Sequence, residues 1–521
     1  MARIANAVRP RLASAVTAAG PRIARLAKAV RIGPAHLPRL PRSRTVRTWQ
    51  YTAGAATAGL ALAAGVVTAA GPWDARGQRT AERHRAAAQE RPGGADHGRS
   101  ATAAEAPGAA PSAPPVLTGL GGVTGAVGTR KAAPGHQALS DVLQPLLDSG
   151  ALGDRHAAAV VDVATGERLY ESDAGESLTP ASTTKIATAV AALSALGPDH
   201  RLTTRAALEP DTRELVLVGG GDPTLTARAG TGGEAGLRTL ATDTARALHR
   251  RGIRTITLSY DAGLFTGPAL HPIGVNDNLA PVSALMADEG RTDDSTSGPA
   301  TRVSDPAAAA AAAFAEFLGD AGITTTSPGP SKAGTRAQTL ATVSSPPLSD
   351  LVERMLTNSD NDIAEALARH TALASGEPAS FAGGARAIGT QLRKLGVPLS
   401  GASFHDGSGL DRADRLTAGL LTALLAEAGD PDRPGLRPVL TGLPVAGFTG
   451  TLSTRYTDGA SGLVRAKTGT LTGVNTLAGT VVDQDGHLLA FAFLASGTDS
   501  APEAQAALDE AATALARCGC G

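Results

Sequence analysis

A serine and a lysine stand three residues apart in the segment Ser182-Thr183-Thr184-Lys185. On a helix, residues at this spacing share one face, so the lysine amine can reach the serine hydroxyl. A serine hydroxyl is a poor nucleophile until a base removes its proton, and a lysine can be that base when burial lowers its pKa. The pair therefore predicts a nucleophilic serine, although the same spacing also occurs on ordinary exposed helices.

A second polar group, Ser359-Asp360-Asn361, stands between two helix-like stretches. Serine, aspartate and asparagine are favoured N-caps of helices, which explains the group without a catalytic role. In a catalytic role, the hydroxyl would relay a proton and the asparagine amide would bind a peptide carbonyl. The two interpretations are compatible, because a cap would fix the geometry of the whole segment.

The third group, Lys467-Thr468-Gly469-Thr470, follows the strand-like residues 462–466. One ammonium group and two hydroxyls can bind a carboxylate, and the glycine leaves room for a ligand along the strand edge. That edge also offers unpaired backbone groups to an extended peptide. A solvated turn with a single lysine is the alternative interpretation.

Together, the three segments resemble the motif set of penicillin-binding proteins and class A β-lactamases. The segments 219–225 (GGGDPTL) and 405–412 (HDGSGLDR) resemble signatures of one subgroup. This subgroup is the D-alanyl-D-alanine carboxypeptidase/endopeptidases of the penicillin-binding protein 4 (DacB) type, peptidase family S13. The resemblance covers residues 137–517.

The resemblance implies a serine-type carboxypeptidase reaction on peptidoglycan stem peptides. Ser182 would attack the carbonyl of the penultimate D-Ala and release the terminal D-Ala from an acyl-enzyme. Lys185 would be the general base, and Ser359 would relay a proton to the departing amine. β-Lactams would acylate Ser182 and inhibit the enzyme, because their strained amide mimics the D-Ala-D-Ala bond.

The same resemblance implies four substrate-binding residues. Asn361 would orient the substrate amide, and Lys467 would place positive charge near the substrate carboxylate. The hydroxyls of Thr468 and Thr470 would bind that carboxylate. The backbone N–H groups of Ser182 and Thr470 would form an oxyanion hole.

The elements that must position these residues are strands at both ends of the sequence and helices in the middle. Strand-like runs flank the turns at 164–166 and 485–486, and helix-like runs cover 186–196 and 501–517. The pattern predicts an α+β fold whose antiparallel sheet joins N- and C-terminal segments. The resemblance implies that this is the transpeptidase-like domain of penicillin-binding proteins and β-lactamases.

The predicted catalytic domain is interrupted by a long insertion. Residues 137–201 and 341–521 would form the catalytic domain, and residues 202–340 would form an inserted α/β region. The 173 residues between Lys185 and Ser359 (359 − 185 − 1) leave room for such an insertion.

The composition of the N-terminal segment predicts that it directs the protein to the membrane. Residues 1–50 are a basic leader without any acidic residue, and residues 51–73 are mostly small and apolar. Twenty-three residues suffice for a helix across a ~30 Å hydrocarbon core, and basic flanks stay in the cytoplasm. The segment predicts either a single-pass anchor at the cell membrane with an extracellular catalytic domain, or a cleaved signal. Residues 74–136 predict a flexible linker.

The composition excludes several other classes of function. The 48 basic and 48 acidic residues balance, and aromatic residues make up 3% of the chain, so no nucleic-acid partner is expected. The only cysteines are Cys518 and Cys520, which excludes a disulfide framework. No metal or cofactor is expected. The role of the two cysteines, the oligomeric state and the balance between carboxypeptidase and endopeptidase action stay open.

Two other functions could use the same motifs. A serine β-lactamase needs a carboxylate base for fast deacylation, usually in a Glu-x-x-Leu-Asn pattern after the second motif. Glu365 and Glu377 follow Asn361, but neither lies in that pattern. A non-catalytic, membrane-anchored penicillin-binding sensor is disfavoured because every polar motif residue is present.

Overall fold

A computed structural model describes residues 135–229, 233–456 and 459–518. They all lie in one unit, which spans Ala113–Gly521. The predicted leader, the predicted membrane segment, the predicted linker up to residue 134 and Cys520 lie outside the described residues. Within the described residues, no helix is long and apolar enough to cross a membrane.

The described residues form strands and α-helices in two groups around two sheets. The strands are β1 (Arg155–Asp162), β2 (Arg168–Ser172), β3 (Thr203–Leu208), β4 (Glu214–Val218), β5 (Thr255–Asp261), β6 (Thr324–Thr325), β7 (Gly329–Pro330), β8 (Gln338–Ser344), β9 (Val464–Leu471), β10 (Val474–Val482) and β11 (Leu488–Ser496). The α-helices are α1 (His136–Leu147), α2 (Thr184–Leu196), α3 (Leu237–Arg250), α4 (Pro306–Asp320), α5 (Leu348–Asn358), α6 (Asn361–Ala374), α7 (Phe381–Lys394), α8 (Ala418–Gly429), α9 (Pro438–Thr441) and α10 (Ala501–Arg517).

The first sheet joins the two ends of the described chain. Its strand order is β2-β1-β11-β10-β9, and all neighbouring strands are antiparallel. Arg155 at the start of β1 lies opposite Ser496 at the end of β11. The predicted α+β fold, with an antiparallel sheet that joins N- and C-terminal segments, is therefore confirmed.

Helices cover both faces of this sheet. In β1, Ala157 and Ala159 face one core while Ala158 and Val160 face the other, as the two-residue period of a strand requires. Helices α1 and α10 cover the second face. Helix α2 lies behind the first face and contacts α6, α7 and α8. Burial on both faces explains why these strands read as nearly continuous apolar runs.

The second sheet lies within residues 203–344, at the place in the sequence where an insertion is predicted. Its order is β6-β5-β4-β3-β8, with β7 beside β5, and β4 and β5 are parallel. Helices α3 and α4 pack on it around a core of their own. Asp305 caps α4 by accepting a hydrogen bond from the backbone N–H of Ala308 at 3.0 Å.

Candidate active site

Ser182 lies in a 3₁₀ turn, Ala181–Thr183, that leads directly into α2. Ala181 has φ +49°, a left-handed conformation that is uncommon outside glycine. The hydroxyl of Thr183 donates to the carbonyl oxygen of Pro180 at 2.7 Å and closes the turn. Residues 184–193 of α2 are all buried; residues 186–193 are apolar except for Thr188, and a helix with apolar residues on every side belongs inside the protein. The half-buried Ser182 is thus carried on a rigid element.

Lys185 is fully buried, and its Nζ atom has three partners. It lies 3.1 Å from Ser182 Oγ, 2.6 Å from Asn361 Oδ1 and 2.7 Å from the carbonyl oxygen of Ser408. The two carbonyl-type oxygens can only accept, so they take two N–H bonds of the nitrogen. In the neutral amine the remaining lone pair then points at the hydroxyl of Ser182, which is the arrangement a general base needs.

Burial also favours the neutral form of this lysine. Removal from water lowers the pKa of Lys185 from 10.5 to about 8, and the carboxylates of Asp406, Asp360, Glu365 and Asp362 oppose this shift. Desolvation dominates because a buried ammonium group loses its hydration. About a tenth of the lysine is therefore free amine at neutral pH, and the fraction rises towards half at pH 8.

The second motif forms the junction between α5 and α6. Ser359 ends α5 in a left-handed conformation with φ +57°. Asp360 caps α6 by accepting the N–H of Ile363 at 3.0 Å, so the helix-cap interpretation is correct. Asn361 accepts from Lys185 and donates through Nδ2 to the carbonyl oxygen of Asn278 at 2.9 Å. Capping thus holds the flanking serine and asparagine in place.

Lys467 points into the protein from β9, the edge strand of the first sheet. It is fully buried, and its Nζ lies 2.8 Å from Ser359 Oγ and 2.7 Å from the carbonyl oxygen of Thr468. Burial, and then the charge of Lys185, hold the pKa of Lys467 well below 10.5. Within the described residues Lys467 forms no ion pair, so a carboxylate that binds nearby would stabilise its charged form.

Thr468 and Thr470 lie on the other face of β9 from Lys467, as alternate residues of a strand do. Thr468 is half-buried and its hydroxyl donates to Thr451 Oγ1 at 2.9 Å, whereas Thr470 is exposed and accepts from Gln505 Nε2 at 3.3 Å. The two hydroxyls are therefore accessible to a ligand on the outer side of the strand.

Gly469 has a different role from the predicted one. A Cβ atom there would collide with Thr476 Oγ1 and lie 2.7 Å from the carbonyl oxygen of Pro180. Thr476 Oγ1 itself donates to that carbonyl at 2.8 Å. The space beside the glycine is thus filled by the turn that carries Ser182, and the missing side chain lets the edge strand lie against that turn.

The three predicted segments therefore meet in space. Ser182, Lys185 and Asn361 form one hydrogen-bonded group, and Ser359 and Lys467 form a second group beside it. Within the described residues, Ser359 is hydrogen-bonded to Lys467 and not to Lys185. Its predicted role as a relay stays a prediction, as do the roles of the other site residues.

Sequence reasoning missed the contribution of the loop 405–412. The carbonyl oxygen of Ser408 is one of the three partners of Lys185. The carboxylate of Asp406 shapes this loop by accepting the backbone N–H groups of Ser408, Gly409 and Asp411 at 3.1, 2.7 and 2.8 Å. The Asp-Gly-Ser-Gly sequence was visible, but nothing in it shows that a backbone carbonyl will meet a lysine.

Neither carboxylate considered for a β-lactamase is hydrogen-bonded to the serine–lysine pair within the described residues. The fully buried Glu365 accepts the N–H groups of Gly407 and Ser408 at 3.0 and 2.9 Å and pairs with Arg369. Glu377 pairs with Arg386 at 2.8 Å. Both carboxylates already have partners of their own.

Comparison with known proteins supports the resemblance to D-Ala-D-Ala carboxypeptidases. A family model described as the D-Ala-D-Ala carboxypeptidase 3 (S13) family matches residues 138–301 and 292–515. Carboxypeptidase DacB of Mycolicibacterium smegmatis is 38% identical, over 81% of this chain and 93% of its own length. The D-alanyl-D-alanine carboxypeptidase of Actinomadura sp. is 30% identical, over 73% of this chain and 84% of its own.

Solved structures show the same fold. Penicillin binding protein 4 (dacB) from Haemophilus influenzae matches 72% of this chain and 98% of its own, with a TM-score of 0.59 and 23% identity. A complex of that protein with a β-lactam matches the same shares, with a TM-score of 0.56 and 24% identity. Since the family model spans most of the described residues, the chain belongs to the D-Ala-D-Ala carboxypeptidase 3 (S13) family.

Proposed function

We propose that this chain is a serine-type D-Ala-D-Ala carboxypeptidase that acts on peptidoglycan stem peptides through an acyl-enzyme on Ser182. The observation that carries the proposal is the 3.1 Å contact between Ser182 Oγ and the buried Nζ of Lys185. The names of the relatives, carboxypeptidase DacB and D-alanyl-D-alanine carboxypeptidase, support the same reaction.

Acylation begins with the Ser182–Lys185 pair. Ser182 Oγ attacks the carbonyl carbon of the penultimate D-Ala while its proton moves to Lys185 Nζ. Asn361 Oδ1 and the Ser408 carbonyl oxygen hold the lysine, so the nitrogen needs no reorganisation to accept the proton. The backbone N–H groups of Ser182 and Thr470 stabilise the oxyanion.

The substrate carboxylate binds at the edge strand. The hydroxyls of Thr468 and Thr470 bind the carboxylate. Its negative charge stabilises the protonated form of the nearby Lys467. Ser359, which contacts Lys467 Nζ at 2.8 Å, passes its proton to the leaving nitrogen as the C–N bond breaks and D-Ala departs, and it regains a proton from Lys185, which had taken it from Ser182. Water then hydrolyses the ester, giving the shortened peptide acid and the free Ser182 hydroxyl.

A β-lactam would follow the same first step, and the complex of the Haemophilus influenzae protein with a β-lactam supports this. The decisive experiment is intact-mass analysis after incubation with penicillin, followed by mapping of the modified peptide, together with measurement of D-Ala release. The proposal requires a stable adduct on Ser182. Fast loss of the adduct with penicillin turnover would indicate a β-lactamase, and absence of any adduct would indicate a non-catalytic protein.

We also propose that residues 51–73 attach the enzyme to the cell membrane, with the N-terminus cytoplasmic and the catalytic part outside. The support is the sequence alone: eleven basic residues and no acidic residue precede an uncharged span. Fractionation of cells that express the full chain, with protease added from outside, tests this. Recovery of the enzyme in the culture medium with a new N-terminus would show a cleaved signal instead.

A further inference from the structure

Glu289 is a buried carboxyl group on an unusual backbone. It lies between β5 and α4, and the consecutive residues Asp288, Glu289 and Gly290 have φ values of +52°, +55° and +64°. Left-handed residues other than glycine persist only where surrounding contacts hold them. Here Asp288 Oδ1 accepts the hydroxyl of Thr226 at 2.6 Å and its Oδ2 accepts the N–H of Ala227 at 3.1 Å. The strained turn directs Glu289 under the junction of α5 and α6.

Charged groups from several elements surround this carboxyl group. Arg354 of α5 donates to Glu289 Oε1 at 2.6 Å, and Arg291 donates to Oε2 at 2.8 Å. Arg302 lies 4.0 Å from Oε2 and donates to Asp362 of α6 at 3.1 Å. At the rim, Glu234 lies 3.6 Å from Arg354. The guanidinium groups supply the positive charge of the cluster, so no metal ion is required.

Asp360, the middle residue of the second motif, faces Glu289. Its Oδ1 caps α6, but its buried Oδ2 accepts no N–H or O–H group within the described residues. Carboxylate oxygens of Glu289, Asp360 and Asp362 lie within 4.8 Å of one another. Two buried carboxylates in contact repel strongly unless one proton lies between them.

A proton on one of the carboxylates removes this conflict. Burial, together with the neighbouring Asp360 and Asp362, raises the pKa of Glu289 to about 9, against the opposing effect of Arg354. Glu289 therefore holds the proton and can donate it in a hydrogen bond to a neighbouring carboxylate oxygen. With it in place, the otherwise unpaired Asp360 Oδ2 has a hydrogen-bond partner.

We propose that Glu289 is a positioning residue of the acyl-transfer reaction, and that a hydrogen bond from its carboxyl group to Asp360 holds the Ser359–Asn361 segment in register with the two catalytic lysines. The inference rests on the proposed function. Asp360 lies between Ser359, which contacts Lys467, and Asn361, which contacts Lys185. A displacement of Asp360 therefore moves both contacts together.

The test compares Glu289→Gln and Asp360→Asn with the wild-type chain. Each new amide can donate the hydrogen bond without a carboxyl proton, and the amide introduced by Asp360→Asn keeps an oxygen that can cap α6. The rate of acylation by a fluorescent penicillin is measured from neutral pH to well above the pKa of about 9. The wild-type rate, which rises to a maximum near pH 8 as Lys185 loses its proton, should fall above about pH 9 as Glu289 loses its proton, whereas both amide variants should hold their maximal rate at alkaline pH.

Glu289→Ala tests the loss of the carboxyl group itself. This substitution removes the hydrogen-bond partner of Asp360 Oδ2 and the acceptor for Arg354 and Arg291. Its acylation rate should fall by about tenfold or more at every pH, and Glu289→Gln should restore it. Glu234→Gln is the matched control: it changes a carboxylate at the rim of the same cluster and should keep the wild-type alkaline decline. Thermal unfolding of each variant shows whether it is folded.

The proposal is overturned if Glu289→Gln and Asp360→Asn lose activity at the same alkaline pH as the wild type, or if folded Glu289→Ala acylates at the wild-type rate. If Glu289→Ala does not fold, the pH profiles of the two amide variants still test the proposal. Absence of acylation in the wild-type chain would instead overturn the proposed function.

Discussion

The Nζ atom of Lys467 lies 2.8 Å from Ser359 Oγ, although the two residues are 108 positions apart in the sequence. Beside this pair, Lys185 Nζ lies 3.1 Å from Ser182 Oγ, so the site contains two pairs side by side, each made of a buried lysine and a half-buried serine. Two ammonium groups in one desolvated site repel each other, and each is further disfavoured by burial. Under the proposed function, this arrangement keeps one amine available as a base and makes the other responsive to a bound carboxylate.

Ser182→Ala should abolish both labelling by penicillin and release of D-Ala, because no other hydroxyl contacts Lys185 Nζ within the described residues. Intact-mass analysis with penicillin and a D-Ala assay measure the two activities. Ser194→Ala, on an exposed position of the same helix, is the control and should behave as wild type. Retained labelling in Ser182→Ala would show that the nucleophile is another residue.

The acylation rate should rise with pH up to the pKa of Lys185 at about 8, before the decline that loss of the Glu289 proton should cause above about 9. The sign follows from the role of this lysine: only the deprotonated amine accepts the serine proton, and its fraction falls by about tenfold for each pH unit below the pKa. Acylation rates with a fluorescent penicillin, measured at several pH values across neutrality, test this rise.

A matched pair of variants tests whether Lys185 causes the rise of the acylation rate with pH. Lys185→Arg keeps the positive charge at every pH and should be inactive, while Lys394→Arg at the exposed end of α7 should leave the profile unchanged. A rate that is independent of pH below 8, or that falls as pH rises towards 8, contradicts the assignment of Lys185 as the base.

Lys467→Met should slow acylation by about a hundredfold and raise the free energy of unfolding by about 1 kcal/mol or more, since an apolar side chain of similar volume replaces a buried charge. The pKa of Lys467 is depressed in the folded state, so protonation at low pH costs stability there. The gain from the substitution should therefore shrink as pH rises towards 10.5.

Acylation kinetics and denaturant unfolding at several pH values measure the two effects of Lys467→Met. Lys394→Met, at an exposed position, controls for the loss of a lysine. If Lys467→Met is acylated at the wild-type rate, this lysine does not belong to the site.

Gly469→Ala should leave the fold intact but displace the edge strand from the turn that carries Ser182. The added Cβ would meet Thr476 Oγ1 and the Pro180 carbonyl oxygen, and overpacking of this kind costs about 1–3 kcal/mol. We expect slower acylation and a lower midpoint of thermal unfolding.

Gly329→Ala is the control for that substitution, because a Cβ on this strand glycine would meet no atom within 4 Å. It should leave both quantities unchanged. Normal acylation in Gly469→Ala would mean that the close contact between β9 and the serine turn has no part in the reaction.

The local elements of the fold could be predicted from the sequence because their signals are local. Strand-like and helix-like runs predicted the hairpin around 164–166 and the helix 501–517, and both are present. Strands at both ends of the sequence predicted that the first sheet joins N- and C-terminal segments, whereas the order of its strands and the register of β1 against β11 depend on packing. The role of Gly469 could not be predicted, since the atoms that exclude its Cβ come from segments far apart in the sequence.

By itself, the sequence determined which polar groups are available: a serine and a lysine one helical turn apart, a cap-forming triplet, and a lysine–threonine segment on a strand. Only the tertiary structure decided that Lys185 loses its hydration and meets the Ser408 carbonyl, and that Lys467 turns inward to Ser359. The physical reason is that a pKa depends on burial and on neighbouring charges in space. Those neighbours come from segments far apart in the sequence, and the sequence does not show how close together such segments lie in the folded protein.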